Sequence, residues 1–499
     1  MKICLITPPS VFLLDERMFM NLGILKIGAV LEIADVPLGV LDLSGIANYE
    51  EVVADYCQGV KTEIFGITST TPQLPAAIRI LNNIRQYKPK ARVILGGPHI
   101  TLVNAAFKME KRLNINGNGR AAIAFKQLAE SFDILVAGDG EKAIFQTLET
   151  GAPDFIDADN PQSPLFLSDD KLNQLPFPAR HLVDVDSYHY RIDGVRALSL
   201  IAQLGCPFEC GFCGGRNSPF LRRVRSRDSE HVVAEMTDIY YQYGIRGFMM
   251  YDDELNVSKE MVNLMKLIKQ SQERLGVEFR LRGFIKAELF TEEQAETMYQ
   301  AGFRWILVGF ESGSPRILKN INKKSTREEN SLCLEIARKH GLKVKALMSI
   351  GHPGETRQTI EETTKWLIET RPDDFDVSII TTYPGTPYYD EAVSHPDQPG
   401  IWVYTYKKTG DKLFSQEIDY RLVADYYKGD PDGGYVSFVH TEELSAQELV
   451  EQRNNLERRV RDTLGLPFNS SAAAQRYEHT MGQSGLLIPS HILKSTSPS

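Results

Sequence analysis

Chemistry concentrates in residues 204–215, LGCPFECGFCGG, where Cys206, Cys210 and Cys213 form a C-x3-C-x2-C triplet. A closed structural zinc site takes four ligands, and a ferredoxin gives four cysteines to its cluster. Three thiolates on a 4Fe-4S cluster leave one iron open to a ligand that is not protein. Gly211, Gly214 and Gly215 let the backbone wrap around a bulky inorganic core, and Phe212 stands just before the third thiol. A zinc knuckle completed by His181, His189 or His231, or a loop of plain thiols, are the competing readings.

Polar groups recur where apolar runs end further along. Residues 248–254, FMMYDDE, close a strand pattern with Asp252, Asp253 and Glu254. Acids so placed either hold a cation or cap a helix. A strand over 278–284 carries Arg280 and Arg282. The run 305–310 leads to Glu311 and Ser312 within ESGS, and 344–350 leads to Gly351 within GHPGET. Strands alternating with helical periods predict a partial (β/α)6 barrel over 196–400, with its chemistry at the carboxyl ends of the strands.

Residues 1–150 show the same alternation, with strands expected at 2–7, 39–43, 64–68, 92–96 and 134–138. That pattern predicts a doubly wound, flavodoxin-like α/β domain, which binds ligands across its strand ends. The residues there are Thr68, Ser69 and Thr70, then Gly96, Gly97, Pro98 and His99, then Gly138, Gly140 and Glu141. No G-x-G-x-x-G follows the first strand, which disfavours a dinucleotide. The stretch 101–133 reads as two helical pieces parted by a turn-rich 114–119. Residues 151–195 read as a linker. Residues 401–499 read as a mostly helical extension, with Thr441 capping a helix to about 464 and a disordered Ser-rich tail.

The bulk properties bound the function. The chain has 499 residues, 42% hydrophobic and 24% charged, as expected of roughly three globular domains. No apolar run reaches the ~20 residues of a membrane span, and the first residues read as a strand, so a cytoplasmic protein with no membrane partner is expected. A net charge of −9 disfavours nucleic acid. Arg222, Arg223, Arg225 and Arg227 read as a solvated turn in preference to an anion site. Cys4, Cys57 and Cys333 read as core thiols.

The triplet and the ordered strand-end motifs together resemble the cobalamin-dependent branch of the radical S-adenosylmethionine (SAM) superfamily over about residues 1–390. The resemblance implies a 4Fe-4S cluster on Cys206, Cys210 and Cys213. It places SAM near Phe212, Asp252, Asp253, Glu254, Arg282, Glu311, Ser312 and Gly351, and cobalamin at the strand ends of the first domain, with His99 not a cobalt ligand. It further implies a small-molecule substrate and a low-potential electron donor such as flavodoxin or ferredoxin. The implied reaction is reductive cleavage of SAM to a 5′-deoxyadenosyl radical, serving methylation of an unactivated carbon. Ring closure, ring contraction or oxidation without methylation, and a cofactor-binding sensor, are the alternatives. Tyr251, His352 and Tyr383 are open as proton donors or acceptors, and no catalytic acid or base is assigned.

Overall fold

The computed structural model describes residues 3–10, 13, 15–113, 119–427 and 434–467. Short runs of β-branched and aliphatic residues form the first sheet: Ile3–Thr7 (β1), Leu38–Asp42 (β2), Ile64–Thr68 (β3), Arg92–Gly96 (β4), Ile134–Gly138 (β5) and Phe155–Ala158 (β6). All are parallel, in the order β2-β1-β3-β4-β5-β6. Alternate residues enter opposite cores. Cys4, Ile6, Phe65, Ile67, Val93 and Leu95 face one layer of helices, and Ile3, Leu5, Ile64, Ile94 and Ile134 face the other. A strand buried on both faces needs an apolar residue at every position, which is why these runs read without a break. The order switches direction between β1 and β3, so the loops that follow them flank a crevice at the carboxyl edge.

The sixth strand lies in the segment read as linker. β6 has four residues that alternate between buried and half-buried, too short and too polar to stand out. The stretch 101–133 does contain two helices, Pro98–Arg112 and Arg120–Ser131, and the turn between them falls largely outside the described residues.

The second sheet is built from Arg191–Ile192 (β7) and Val195–Leu200 (β8), followed by a small ribbon of Gln203–Leu204 (β9) and Arg225–Ser226 (β10). It continues with Gly247–Met250 (β11), Arg280–Ile285 (β12), Phe303–Glu311 (β13), Lys343–Ile350 (β14) and Asp374–Ile379 (β15). The order is β15-β14-β13-β12-β11-β8-β7, in which β8 and β11 to β15 make the six parallel strands of the expected partial barrel. Phe248, Met250, Leu281, Ile306, Val308 and Val344 face the outer helices, while Ala197, Met249, Phe284, Trp305, Leu307 and Leu347 face the lumen. Met18 and Phe19, from the loop after β1, enter that lumen and pack with Tyr190.

The carboxyl-terminal part departs from the mostly helical expectation. Its described residues form an antiparallel sheet of Val393–Ser394 (β16), Ile401–Thr405 (β17), Lys412–Gln416 (β18) and Val439–Thr441 (β19), followed by one helix, Ala446–Leu464. Ser445 caps that helix in a box with Glu448, whereas Thr441 ends β19 and donates to Glu355 O. The tail expected to be disordered lies outside the described residues. The helix covers the free edge of β15: Arg461 donates to Phe375 O at 2.7 Å and Arg453 to Val377 O at 2.9 Å, while Ile379 N donates to Tyr435 Oη at 2.8 Å. Residues two apart present backbone groups to the same edge, so side chains here satisfy what a further strand would have satisfied.

Candidate active site

The cysteine triplet follows β8 and lies at the carboxyl end of the barrel. Its conformation depends on glycine at two points: Gly205 (φ +85°) and Gly215 (φ +78°) are left-handed, and a Cβ on Gly205 would collide with Arg223 O. Gly211 N donates to Ile321 O at 2.7 Å and Gly215 N to Gly385 O at 3.0 Å, so the loop is tied to two neighbouring loops. Arg222 binds the carbonyls of Pro207 and Phe208. Burial pushes the Cys206 thiol up to about 11 and, with the other two cysteines adding to the effect, the Cys213 thiol up to about 12. Cys213 is nevertheless accessible. It therefore faces an interior space that protein surrounds, and three thiols sharing such a space suit a polynuclear cluster.

The three histidines of the zinc reading are engaged elsewhere. His181 pairs with Glu32, His189 with Asp15, and His231 stacks on Phe177. Among the described residues no three His, Cys, Asp or Glu side chains converge on one metal ion.

The acids after β11 divide their work. Asp252 Oδ1 accepts from the backbone N–H groups of Ala202 and Gln203, and Asp253 Oδ2 accepts from Gly205 N at 2.9 Å. They thus anchor the entry to the cysteine loop and cap no helix. Buried oxygens remain unpartnered on Asp252 (Oδ2) and Glu254 (Oε2). Burial raises both carboxyls to about 7, against the nearby Lys323 and Lys286 in the case of Glu254. Buried carboxylates left without a hydrogen-bond partner are costly, and a cationic ligand meets that need.

Glu311, the last residue of β13, completes the mouth. Its register with β14 shifts at Gly309, and its own φ is +65°, in the left-handed region. Oε1 accepts from Lys323 Nζ at 3.2 Å and Oε2 from Ser349 Oγ at 2.8 Å. A Cβ on Gly309 would lie 2.7 Å from Oε1 and 3.2 Å from Nζ, so glycine leaves room for the pair. Although burial opposes its charge, Glu311, Cys210 and Glu254 hold the Lys323 ammonium well above the ordinary lysine range.

The other sequence-predicted residues divide between the barrel lumen, the packed interior and the surroundings of the cysteine loop. Arg282 lies deep in the lumen beside Trp305, with Nε and Nη2 unpartnered. Ser312 turns into the fold, with Oγ against Thr363 Oγ1 at 3.0 Å. Gly351 N donates to the buried Glu355. Phe212 packs with its ring centroid 5.4 Å from that of His352. Tyr251 is 46% exposed beside Phe19 and Phe284, and Tyr383 approaches Gly214, so these phenols line the same interior space.

The first domain lies against this site. A Cβ at Gly214 or Gly385 would meet Leu102 in the helix Pro98–Arg112, and Asn217 reaches Met109 in the same helix. The carboxyl ends of the two sheets therefore face each other. Thr68, Thr70, Gly96, Gly97, Pro98, Gly138 and Gly140 are at least partly accessible at that edge, whereas Ser69, His99 and Glu141 are buried. His99 Nδ1 lies 3.1 Å from Thr71 Oγ1, and burial drives its pKa down to about 3.

Arg223 is exposed, as a solvated turn requires, but Arg225 and Arg227 are structural, contrary to the expectation from sequence. Arg225 is buried against Asp139 at 2.7 Å, Arg227 pairs with Glu235 at 2.6 Å, and Asp159 accepts from Ser218 and Phe220 N. Arg225 and Asp139 lock the first domain to the segment that follows the cysteine loop. Sequence reasoning missed Lys323, Ser349 and Tyr388 as part of the site.

Residues 200–367 match the model of the Radical SAM superfamily. Along most of its length the fold is similar to that of TsrM: a solved structure of this radical SAM methyltransferase from Kitasatospora setae, with cobalamin and a 4Fe-4S cluster bound, superimposes with a TM-score of 0.65 at 20% identity, over 91% of this chain and 90% of that one. An uncharacterized methyltransferase of Pyrococcus horikoshii is 29% identical over 337 residues, 67% of this chain and 70% of the relative. An anaerobic magnesium-protoporphyrin IX monomethyl ester cyclase of Cereibacter sphaeroides is 24% identical over 367 residues, 68% of this chain and 55% of the cyclase. No helix among the described residues is long and apolar enough to cross a membrane.

Proposed function

We propose that this protein is a cobalamin-dependent radical SAM methyltransferase acting on an unactivated carbon of a small molecule. One observation carries the reading: the three-thiol loop packs against the helix Pro98–Arg112, which leaves the carboxyl edge of a second, flavodoxin-like sheet, and beside that loop the buried carboxylates Asp252 and Glu254 each keep an oxygen without a partner. Cys206, Cys210 and Cys213 would hold the cluster. Glu254 and Glu311 would hold SAM at the open iron, and the rim formed by Thr68, Thr70, Gly96, Gly97, Pro98, Gly138 and Gly140 would hold cobalamin. These groups supply the electron for SAM cleavage and the methyl carrier. The protein's own part is to place them across one enclosed space, neutralise the carboxylates and exclude water. Tyr251 and Phe19, which pack together, would contact the substrate. A low-potential electron donor such as flavodoxin or ferredoxin would reduce the cluster.

A non-methylating reaction is the second reading, favoured by the match to the cyclase. Anaerobic reconstitution with hydroxocobalamin, a low-potential reductant and SAM separates the two, with 5′-deoxyadenosine and S-adenosylhomocysteine measured by mass spectrometry. Both products, with deoxyadenosine lost in Cys213→Ala, support methyl transfer. Deoxyadenosine alone, indifferent to cobalamin, favours the cyclase-like reading. Neither product, despite an intact cluster, leaves a substrate-gated enzyme or a cofactor-binding sensor.

A further inference from the structure

Behind Glu311 runs a chain of buried groups that reaches back to the cysteine loop. Ser349 Oγ donates to Glu311 Oε2 at 2.8 Å, and Ser349 Oγ lies 2.8 Å from His352 Nε2. His352 Nδ1 in turn lies 3.2 Å from Tyr388 Oη. His352 is 0% and Tyr388 1% exposed. The direction of each bond follows from the first. Ser349 has one hydroxyl proton, which it gives to the carboxylate, so His352 must donate to Ser349 through Nε2–H. The other ring nitrogen is then an acceptor, and Tyr388 O–H donates to it. With Lys323 donating to Oε1, every proton in the array points toward one carboxylate.

We infer that Tyr388, His352 and Ser349 form a one-way hydrogen-bond relay that holds the Glu311 side chain aimed into the barrel mouth, with His352 as the positioning residue that fixes its direction. Two features of the backbone point to the same purpose. Glu311 has a left-handed φ that an L side chain adopts only at a cost, and it follows a register shift in the sheet, the kind of irregularity that re-aims a side chain. Burial drives the His352 pKa down to about 3, so the ring stays neutral as the relay requires. At its far end the relay rests on the cysteine loop, where the Tyr388 ring packs against Gly211. The carboxylate at the mouth and the loop that carries the thiols are thereby aligned by one set of bonds.

The inference rests on the reading of Glu311 as a SAM contact. The test uses the full chain with its cluster reconstituted. It reads SAM affinity by equilibrium binding, and the electron paramagnetic resonance spectrum of the reduced cluster with and without SAM. Ser349→Ala and His352→Phe are each expected to weaken SAM binding roughly tenfold, the size of effect of a buried hydrogen bond lost. The double variant should be no weaker than either single one, because both cut the same chain. Ser349→Thr, which keeps the hydroxyl, should bind as wild type does, and the SAM-dependent change in the spectrum should shrink only in the variants that cut the relay. Iron content and melting temperature are followed in parallel; if His352→Phe does not fold, Ser349→Ala against Ser349→Thr decides alone. Wild-type affinity in Ser349→Ala, with Glu311→Gln impaired, overturns the relay and leaves the SAM reading standing. Unchanged affinity in both Glu311→Gln and Glu254→Gln overturns the SAM reading and the relay with it.

Discussion

Replacing Arg225 with methionine should loosen the first domain from the cysteine loop before it unfolds the protein. The guanidinium is 1% exposed, as is its partner. Nη1 donates to both oxygens of Asp139 at 2.9 and 2.7 Å and to Leu167 O at 3.0 Å, and Nη2 donates to Phe220 O at 3.1 Å. Phe166 and Phe220 flank it, with ring centroids 4.7 and 4.9 Å from the guanidinium carbon. In Arg225→Met the Asp139 carboxylate stays buried with the Leu167 N–H as its remaining hydrogen-bond donor. Removing one partner of a buried pair costs about 3–5 kcal/mol. At about 1.4 kcal/mol per factor of ten, the interface should open roughly a hundred- to several-thousand-fold more often. Hydrogen–deuterium exchange of residues 139–141, 166–167 and 219–226 reads that opening directly. The double variant Asp139→Leu with Arg225→Met leaves no buried charge unpaired and should recover most of the protection. Unchanged exchange in the single variant, or strictly additive effects in the double one, would refute the argument that this pair locks the domains.

Three further outcomes follow from local geometry. Gly205→Ala forces a Cβ into Arg223 O at a left-handed φ, and should abolish iron incorporation on reconstitution while the far-ultraviolet circular dichroism stays native. Arg120 lies between the rings of Tyr389 and Trp402, 3.8 and 4.1 Å from their centroids, so Arg120→Lys, which lacks the planar face, should lower the melting temperature although charge is kept. His189 has its pKa raised above the usual histidine range, chiefly by its hydrogen bond to Asp15 at 2.7 Å. Its contribution is therefore complete below about pH 6.5 and lost as pH rises through the higher folded value. Imidazole chemical shifts should show that elevated titration, and Asp15→Asn should return it toward the ordinary value.

The parts of the fold written in local pattern were legible in the sequence. Buried parallel strands announce themselves as unbroken apolar runs, and the cysteine triplet is contiguous, so the succession of strands and the place of the three-thiol loop could be read directly. What escaped depends on partners distant in the chain. β6 is a four-residue edge strand with little apolar character of its own, and only pairing with β5 makes it a strand. The arginines after the triplet look solvated because Asp139 stands 86 residues away from Arg225. The relay could not be found by motif, since Ser349 meets Glu311 across 38 residues and His352 meets Tyr388 across 36. The strand-end rule located the mouth, but it could not tell that Glu311 turns inward while the adjacent Ser312 turns away.

The closing of β15 by side chains has a consequence for how such a protein can diversify. A neighbouring strand would impose register, length and direction on whatever followed it. Arg453, Arg461 and Tyr435 hold that edge by side chains, so the edge sets no strand register for the chain between Ile379 and Tyr435. That interval includes Tyr383, Tyr388 and Tyr389, which stand beside the cysteine loop and the first domain. The edge of β15 is thus closed by residues other than Tyr383, Tyr388 and Tyr389, so substitutions at those three positions leave the edge contacts in place.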